Sequence, residues 1–194
     1  MSIPELITIS GLDGSGKSTQ IELLKKFLES QGKSFWYFHA VEFSIANRRG
    51  LTSTNGASVV KANRFQIQLR KIALLIDIFR FKRLMRRKKV DYIISDRYFF
   101  DSVVNINYLL SRFGNRVSKL FAERFVPKPD FAFFLKVSPQ IIMQRVRKPD
   151  QGIEYLVAKE KLFESRIKDW NLVVIAGERS KEEIFEEIKS KIDV

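Results

Sequence analysis

The sequence predicts an α/β fold in three layers, a doubly wound sheet of about five parallel strands with helices on both faces. Three observations predict it. Five short runs, at 5–10, 34–39, 91–96, 130–137 and 171–176, are apolar on both faces, as strands covered from two sides must be. Stretches of helical length and pattern separate them. A glycine-rich turn joins the first run to the first helix, where sheets of this kind bind ligands.

The elements follow in order. The run ELITIS is the first strand, and the helix after it runs from Lys17 to about Ser30, with Ile21, Leu24 and Leu28 on one face and Gly32 as its stop. Further helical patterns cover roughly 60–88, 101–122, 138–148, 154–169 and 180–192. Arg48 and Arg49 fall in a polar loop after the second strand, where they either bind a phosphate or face water. Between Phe65 and Leu84 the helix is apolar on most sides, which predicts one face on the sheet and another on a second copy of the chain. No repeat or linker interrupts the pattern, so residues 1–194 read as one domain, with a lid at about 144–154 where Pro149 breaks a helix.

Composition narrows the chemistry. The 194 residues include no Cys and a single His, His39, so thiolate sites and multi-histidine metal centres are excluded, and acid–base work falls to carboxylates, Lys and Tyr. No apolar run approaches the roughly 20 residues that cross a bilayer, and the first residues lack the basic stretch of a signal peptide, which predicts a cytoplasmic protein without a membrane partner. The formal net charge is +13, yet residues 61–90 hold eleven Lys and Arg against Asp77 alone, leaving the rest nearly balanced. The run from Arg86 to Lys89 reads as a solvated helix end matched to the helix dipole, not as a nucleic-acid patch.

Three motifs carry the chemistry. Gly11-Leu12-Asp13-Gly14-Ser15-Gly16-Lys17-Ser18 fits G-x-x-x-x-G-K-[ST] between a strand and a helix. Glycines let successive N–H groups converge on phosphate oxygens, Lys17 adds an ammonium, and Ser18 offers a hydroxyl to Mg²⁺. Ser95-Asp96-Arg97-Tyr98 closes the third strand beside that loop: Asp96 is placed to hold Mg²⁺ or take a proton, and Arg97 to grip a phosphate. Arg145 and Arg147, before Pro149, read equally as lid cations suited to charge building on a transferring phosphoryl group or as a solvated helix end matched to the helix dipole.

The loop GLDGSGKST, the DRY at the third strand, PKPDFAFFLKVSP and the lid-like RVRKPDQGIEY stand in the order and spacing of thymidylate kinases, which the chain resembles from about Leu6 to Ile188. The resemblance implies a P-loop kinase moving the γ-phosphoryl of ATP to a nucleoside monophosphate, most simply dTMP, with Mg²⁺. It implies that the loop residues Gly11, Leu12, Asp13, Gly14, Ser15, Gly16, Lys17, Ser18 and Thr19 bind ATP and that Asp13 faces the acceptor sugar. It further implies that Asp96 and Arg97 lie near the acceptor phosphate, that Arg145 and Arg147 serve the lid, that Glu154 is the acid after the lid, and that the chain dimerises. Departures fall on the acceptor side. The family's F-E-G has Ser10 in place of Glu. Its L-L-F-x-A-x-R helix becomes Leu74-Leu75-Ile76-Asp77-Ile78-Phe79-Arg80, leaving Ile76 and Arg80 as acceptor-binding candidates. Its S-x-x-A-Y-Q becomes Asp101-Ser102-Val103-Val104-Asn105-Ile106. Two other readings remain open at this point: a nucleoside kinase with Glu42 as base, and a nucleic-acid binder that keeps a phosphate loop.

Overall fold

The computed structural model describes residues 3–48, 62–114, 118–146 and 148–192. Strands β1 (Glu5–Gly11), β2 (Phe35–His39), β3 (Tyr92–Asp96), β4 (Phe131–Lys136) and β5 (Val173–Ala176) form one sheet in the order β2-β3-β1-β4-β5, every neighbouring pair parallel. The crossovers carry α1 (Lys17–Ser30), α2 (Ala40–Phe43), α3 (Ile45–Arg48), α4 (Arg64–Met85), α5 (Phe99–Ser111), α6 (Pro139–Gln144), α7 (Ile153–Glu164) and α8 (Lys181–Lys189), with a 3-10 turn at Phe121–Phe125.

Side chains alternate along a strand, and the core divides accordingly. Ile7, Ile9, Ile94 and Phe133 meet Ile21, Leu24 and Leu28 of α1 and Ile184 and Ile188 of α8. Leu6, Ile93 and Phe134 point the other way, into Phe81 of α4, Val103 of α5 and Phe163 of α7. These two cores and the sheet between them are the three layers that the apolar runs predict. The expectation of cover on both sides holds for β1, β3 and β4 but not at the edges, where Tyr37 of β2 and Val173 and Val174 of β5 are about one-third exposed.

Helix α1 matches its expectation. α4 starts later than residue 60: the Asn63 side chain accepts from the Gln66 N–H (2.8 Å) while Gln66 Oε1 accepts from the Asn63 N–H (3.1 Å), a capping box that fixes the first turn. The stretch 101–122 is not one helix. α5 stops at Ser111, Gly114 adopts a positive φ, and Phe121–Phe125 forms its own turn against α4, so apolar residues beyond Ser111 mark a second contact instead of a continued helix. α6 ends at Gln144, four residues short of its expected limit, because Arg145 is already extended. The expected loop after β2 contains α2 and α3. His39 caps α2, its Nδ1 accepting from the Glu42 N–H (3.3 Å), and so acts as a structural residue there. Asp77 ties α3 to α4 by accepting from the Ile45 N–H (3.1 Å).

β1 lies between β3 and β4, so the chain leaving β1 emerges at the crevice where successive connections diverge. On the far side of α4, Phe65, Ile72, Ile76 and Phe79 form an exposed apolar stripe at helical spacing, continued by Phe125 beside Phe79 (5.5 Å between rings) and exposed Phe121. No helix among the described residues is long and apolar enough to cross a membrane.

Candidate active site

The phosphate loop is built by close backbone approach. A Cβ at Gly11 would sit 2.7 Å from the Leu135 carbonyl oxygen, so only glycine lets β1 run this close to β4 before turning away. Gly16, at φ +101°, opens α1 in the left-handed region. The loop closes on Ser15 N–H to Leu12 C=O (3.2 Å), and the first turn of the 14-residue α1 carries Lys17 inward, with Ser18 and Thr19 exposed. The Lys17 ammonium donates to the Leu12 carbonyl (2.6 Å). Burial, and then the charge of Arg97, push its pKa down to about 8, against the pull of Asp13, Asp101 and Asp96. Ser15 Oγ is buried and has no hydrogen-bond partner among the described residues.

From the neighbouring strand come Asp96 and Arg97. Asp96 pairs in register with Ile9 and with His39, and its carboxylate accepts from the Tyr37 hydroxyl (3.2 Å). Burial and the Asp96 charge push that phenol above its ordinary range. Arg97 has φ +59°, a conformation costing a non-glycine residue roughly 1–2 kcal/mol. Two bonds hold it there: its N–H donates to the Ile9 carbonyl (3.1 Å), and its carbonyl accepts from Ser95 Oγ. The twist turns the guanidinium back over the phosphate loop, where it forms an ion pair with Asp13. Burial works against the Arg97 charge, but Asp13 and then Asp101 hold it firmly protonated. Burial likewise pushes the Asp13 carboxyl up, and Lys159, Arg97 and Lys17 together outweigh this and keep it well below the usual carboxylate range.

Asp101 escaped the sequence reading. It is 2% exposed in the first turn of α5, and its Oδ2 accepts from Ser10 Oγ (2.7 Å) and from the Tyr98 N–H (2.9 Å). Its Oδ1 is buried without a partner among the described residues, and its charge acts on both Lys17 and Arg97. The signal was present in two separate departures from the family pattern. Where F-E-G has Glu, this chain has Ser10; where S-x-x-A-Y-Q has Ser, it has Asp101. In this chain the two positions meet in one hydrogen bond, which gives the loop an acidic neighbour from α5.

Of the other expected residues, Arg145 reaches the site, donating to the Gly14 carbonyl. Arg80 is engaged elsewhere: it pairs with Asp77 (2.6 Å), donates to the Phe43 carbonyl (3.2 Å) and lies over the Phe43 ring (4.3 Å). Ile76 is 43% exposed on the outward stripe of α4. Glu154 is exposed in the first turn of α7. Arg147, Arg49 and the Arg48 side chain lie outside the described residues. The described residues contain no cluster of three or more His, Asp or Glu for a metal. The exposed Ser18 hydroxyl and the Asp96 carboxylate are instead the sparse, all-oxygen set that suits Mg²⁺, which keeps waters and takes its remaining ligands from phosphates.

The chain is similar to known proteins over most of its length. A family model described as thymidylate kinase matches residues 9–188. The thymidylate kinase of Thermosipho africanus is 26% identical over 200 residues, spanning 96% of each chain. That of Francisella tularensis subsp. holarctica is 26% identical over 210 residues, spanning 97% of this chain and 95% of its own. The solved structure of thymidylate kinase from Candida albicans superposes with a TM-score of 0.70 at 17% identity, covering 98% of this chain and 92% of that one, which supports the fold.

Proposed function

The chain belongs to the thymidylate kinase family of ATP-dependent nucleoside monophosphate kinases, and from that premise we propose how its residues divide the work of phosphorylating dTMP. The backbone amides of residues 11–19 and the Lys17 ammonium hold the ATP phosphates at the N-terminus of α1. Arg97 leaves Asp13 to grip the acceptor phosphate, and Asp13 turns to the acceptor sugar. An oxygen of that phosphate attacks the γ-phosphorus of ATP; the new P–O bond forms as the β–γ bridging bond breaks, and ADP departs with the bridging oxygen. Arg145, already at the Gly14 carbonyl, neutralises charge on the phosphoryl group in flight, with Arg147 as its lid partner. Ser18 and Asp96 would hold Mg²⁺, which would offset phosphate charge.

The Asp13–Arg97 ion pair carries this reading, because it places an acceptor-side cation directly over the donor loop. The test is a panel of nucleoside monophosphates, with thymidine beside them, incubated with ATP and Mg²⁺ and read by ADP release. dTMP is expected to give the highest kcat/KM; faster turnover of thymidine would make the protein a nucleoside kinase. The outer stripe of α4 packs against its counterpart in a homodimer, and the protein works in the cytoplasm beside its nucleotide pool. Phe79→Glu in that stripe is expected to give a monomer by light scattering.

A further inference from the structure

Asp96 carries a charge that the site needs aimed in one direction, and the side chain that holds it belongs to none of the motifs. The last torsion of an aspartate is broad, so its carboxylate keeps one orientation only when an oxygen is fixed. Among the described residues the only hydrogen bond to the Asp96 carboxylate comes from Tyr37 of β2, whose hydroxyl donates to Oδ2 at 3.2 Å. Register explains the reach. Tyr37 pairs with Ile94, two residues before Asp96 on the neighbouring parallel strand, and Ile94 packs on the α1 face of the sheet, so the phenol crosses a diagonal on that face toward the strand ends. Tyr37 lies on an edge strand and is about one-third exposed, a place where phenylalanine would pack as well, so packing alone does not call for its hydroxyl.

Helix α1 supplies the next link. The Lys25 ammonium sits 3.9 Å from the centre of the Tyr37 ring, and Glu22, three residues earlier on the helix, pairs with it at 2.7 Å. A cation on the ring face draws electron density from it, and an electron-poor phenol donates more strongly. The line from Glu22 through Lys25 and Tyr37 thus ends on Asp96, at the mouth of the sheet.

We propose that Tyr37 is a positioning residue for Asp96: its hydroxyl fixes one carboxylate oxygen and leaves the other to Mg²⁺, while Lys25 strengthens that bond from the ring face. The inference rests on the reading of Ser18 and Asp96 as the Mg²⁺ pair. Two cations compete for this carboxylate, Lys17 and Arg97, and both feel its charge. Released from Tyr37, it would turn toward them and present less of itself to a metal. Hydrogen-bond partners of ligating carboxylates set metal affinity in this way, and their loss typically costs about 10- to 100-fold. A metal that also rides on ATP phosphates depends less on the protein, which places the expected effect below that range.

The experiment measures by titration calorimetry how much Mg²⁺ tightens the binding of a non-hydrolysable ATP analogue, as the ratio of Kd in EDTA to Kd in excess Mg²⁺. Wild type is compared with Tyr37→Phe, Lys25→Met, the double variant and Asp96→Asn. Tyr37→Phe keeps the ring and is expected to lower the ratio at least about fivefold, with Kd in EDTA within about twofold of wild type. In steady-state assays the Mg²⁺ concentration for half-maximal rate rises by a similar factor, and KM for dTMP stays within about twofold. Lys25→Met is expected to lower the ratio about twofold, and the double variant to match Tyr37→Phe alone, because Lys25 acts only through the phenol. A lowered ratio in Asp96→Asn beside an unchanged one in Tyr37→Phe overturns the proposal, as does equal weakening with and without Mg²⁺, and either leaves Tyr37 a cover for the sheet edge. Losses that add in the double variant overturn the part given to Lys25. An unchanged ratio in Asp96→Asn is a separate failure: it removes the Mg²⁺ pair, and with it anything for Tyr37 to position.

Discussion

Two regions of the site, the phosphate loop and the end of β3, meet at one ion pair, Asp13–Arg97, and are built on different terms. Around the phosphate loop, backbone geometry and charge set each feature: Gly11 where only glycine fits against β4, Gly16 in the left-handed region, Lys17 buried and Arg145 on a loop carbonyl. Elsewhere the sequence departs from the family pattern at Ser10, Ile76, Asn105 and Ile106; of these, Ser10 is buried against Asp101 and Ile76 faces outward from α4. The difference teaches that charge geometry tolerates little exchange, whereas an aliphatic or polar wall can be repacked at a cost of order 1 kcal/mol. The Ser10–Asp101 bond lies at their boundary and sets a carboxylate beside the loop.

If that contrast is right, substitutions on the charged half hurt most. Lys17→Ala and Arg97→Ala are each expected to lower kcat at least about 100-fold in steady-state assays, and near-normal turnover in either would erase the distinction. Arg145→Ala is expected to lower kcat about 30-fold while changing KM for ATP less than about threefold, because its contact strengthens as charge moves. Asp101→Ala leaves the Ser10 hydroxyl and the Tyr98 N–H buried without their acceptor, so urea melts should register a loss of about 1–3 kcal/mol. Ile76→Phe, on the outward stripe of α4, is expected to leave KM for dTMP within about twofold in the same assays.

Protons report the same division more finely. With its pKa at about 8 in the free protein, Lys17 is partly neutral at pH 8–9, and phosphates restore its charge. Nucleotide binding should therefore take up a fraction of a proton in that range, seen by calorimetry in two buffers of different ionisation heat. Zero uptake would separate Lys17 from the phosphates. For folding the sign is the reverse of the common lysine case. The unfolded chain, with Lys17 at its ordinary 10.5, binds more protons between about pH 8 and 10.5, so this residue makes stability rise with pH across that window.

The sheet was legible because each strand is a short apolar run with polar or glycine punctuation, and the phosphate loop because its spacing carries a mechanism. α2 and α3 escaped because four residues complete barely one turn and leave no period to read. The overlong helix from 101 came from counting Leu120, Phe121 and Ala122 as more of the same face, although Gly114 lies between. Asp101 in a first helical turn looks like ordinary capping, and Lys159 in an amphipathic helix looks solvent-facing. Both are revealed only by what folds over them.

The bond from Lys17 to the Leu12 carbonyl gives ligand entry the character of an exchange. A cation already resting on its own loop yields only to an anion that offers more than the carbonyl does. Whatever draws this ammonium away must first outbid a neighbour in its own loop.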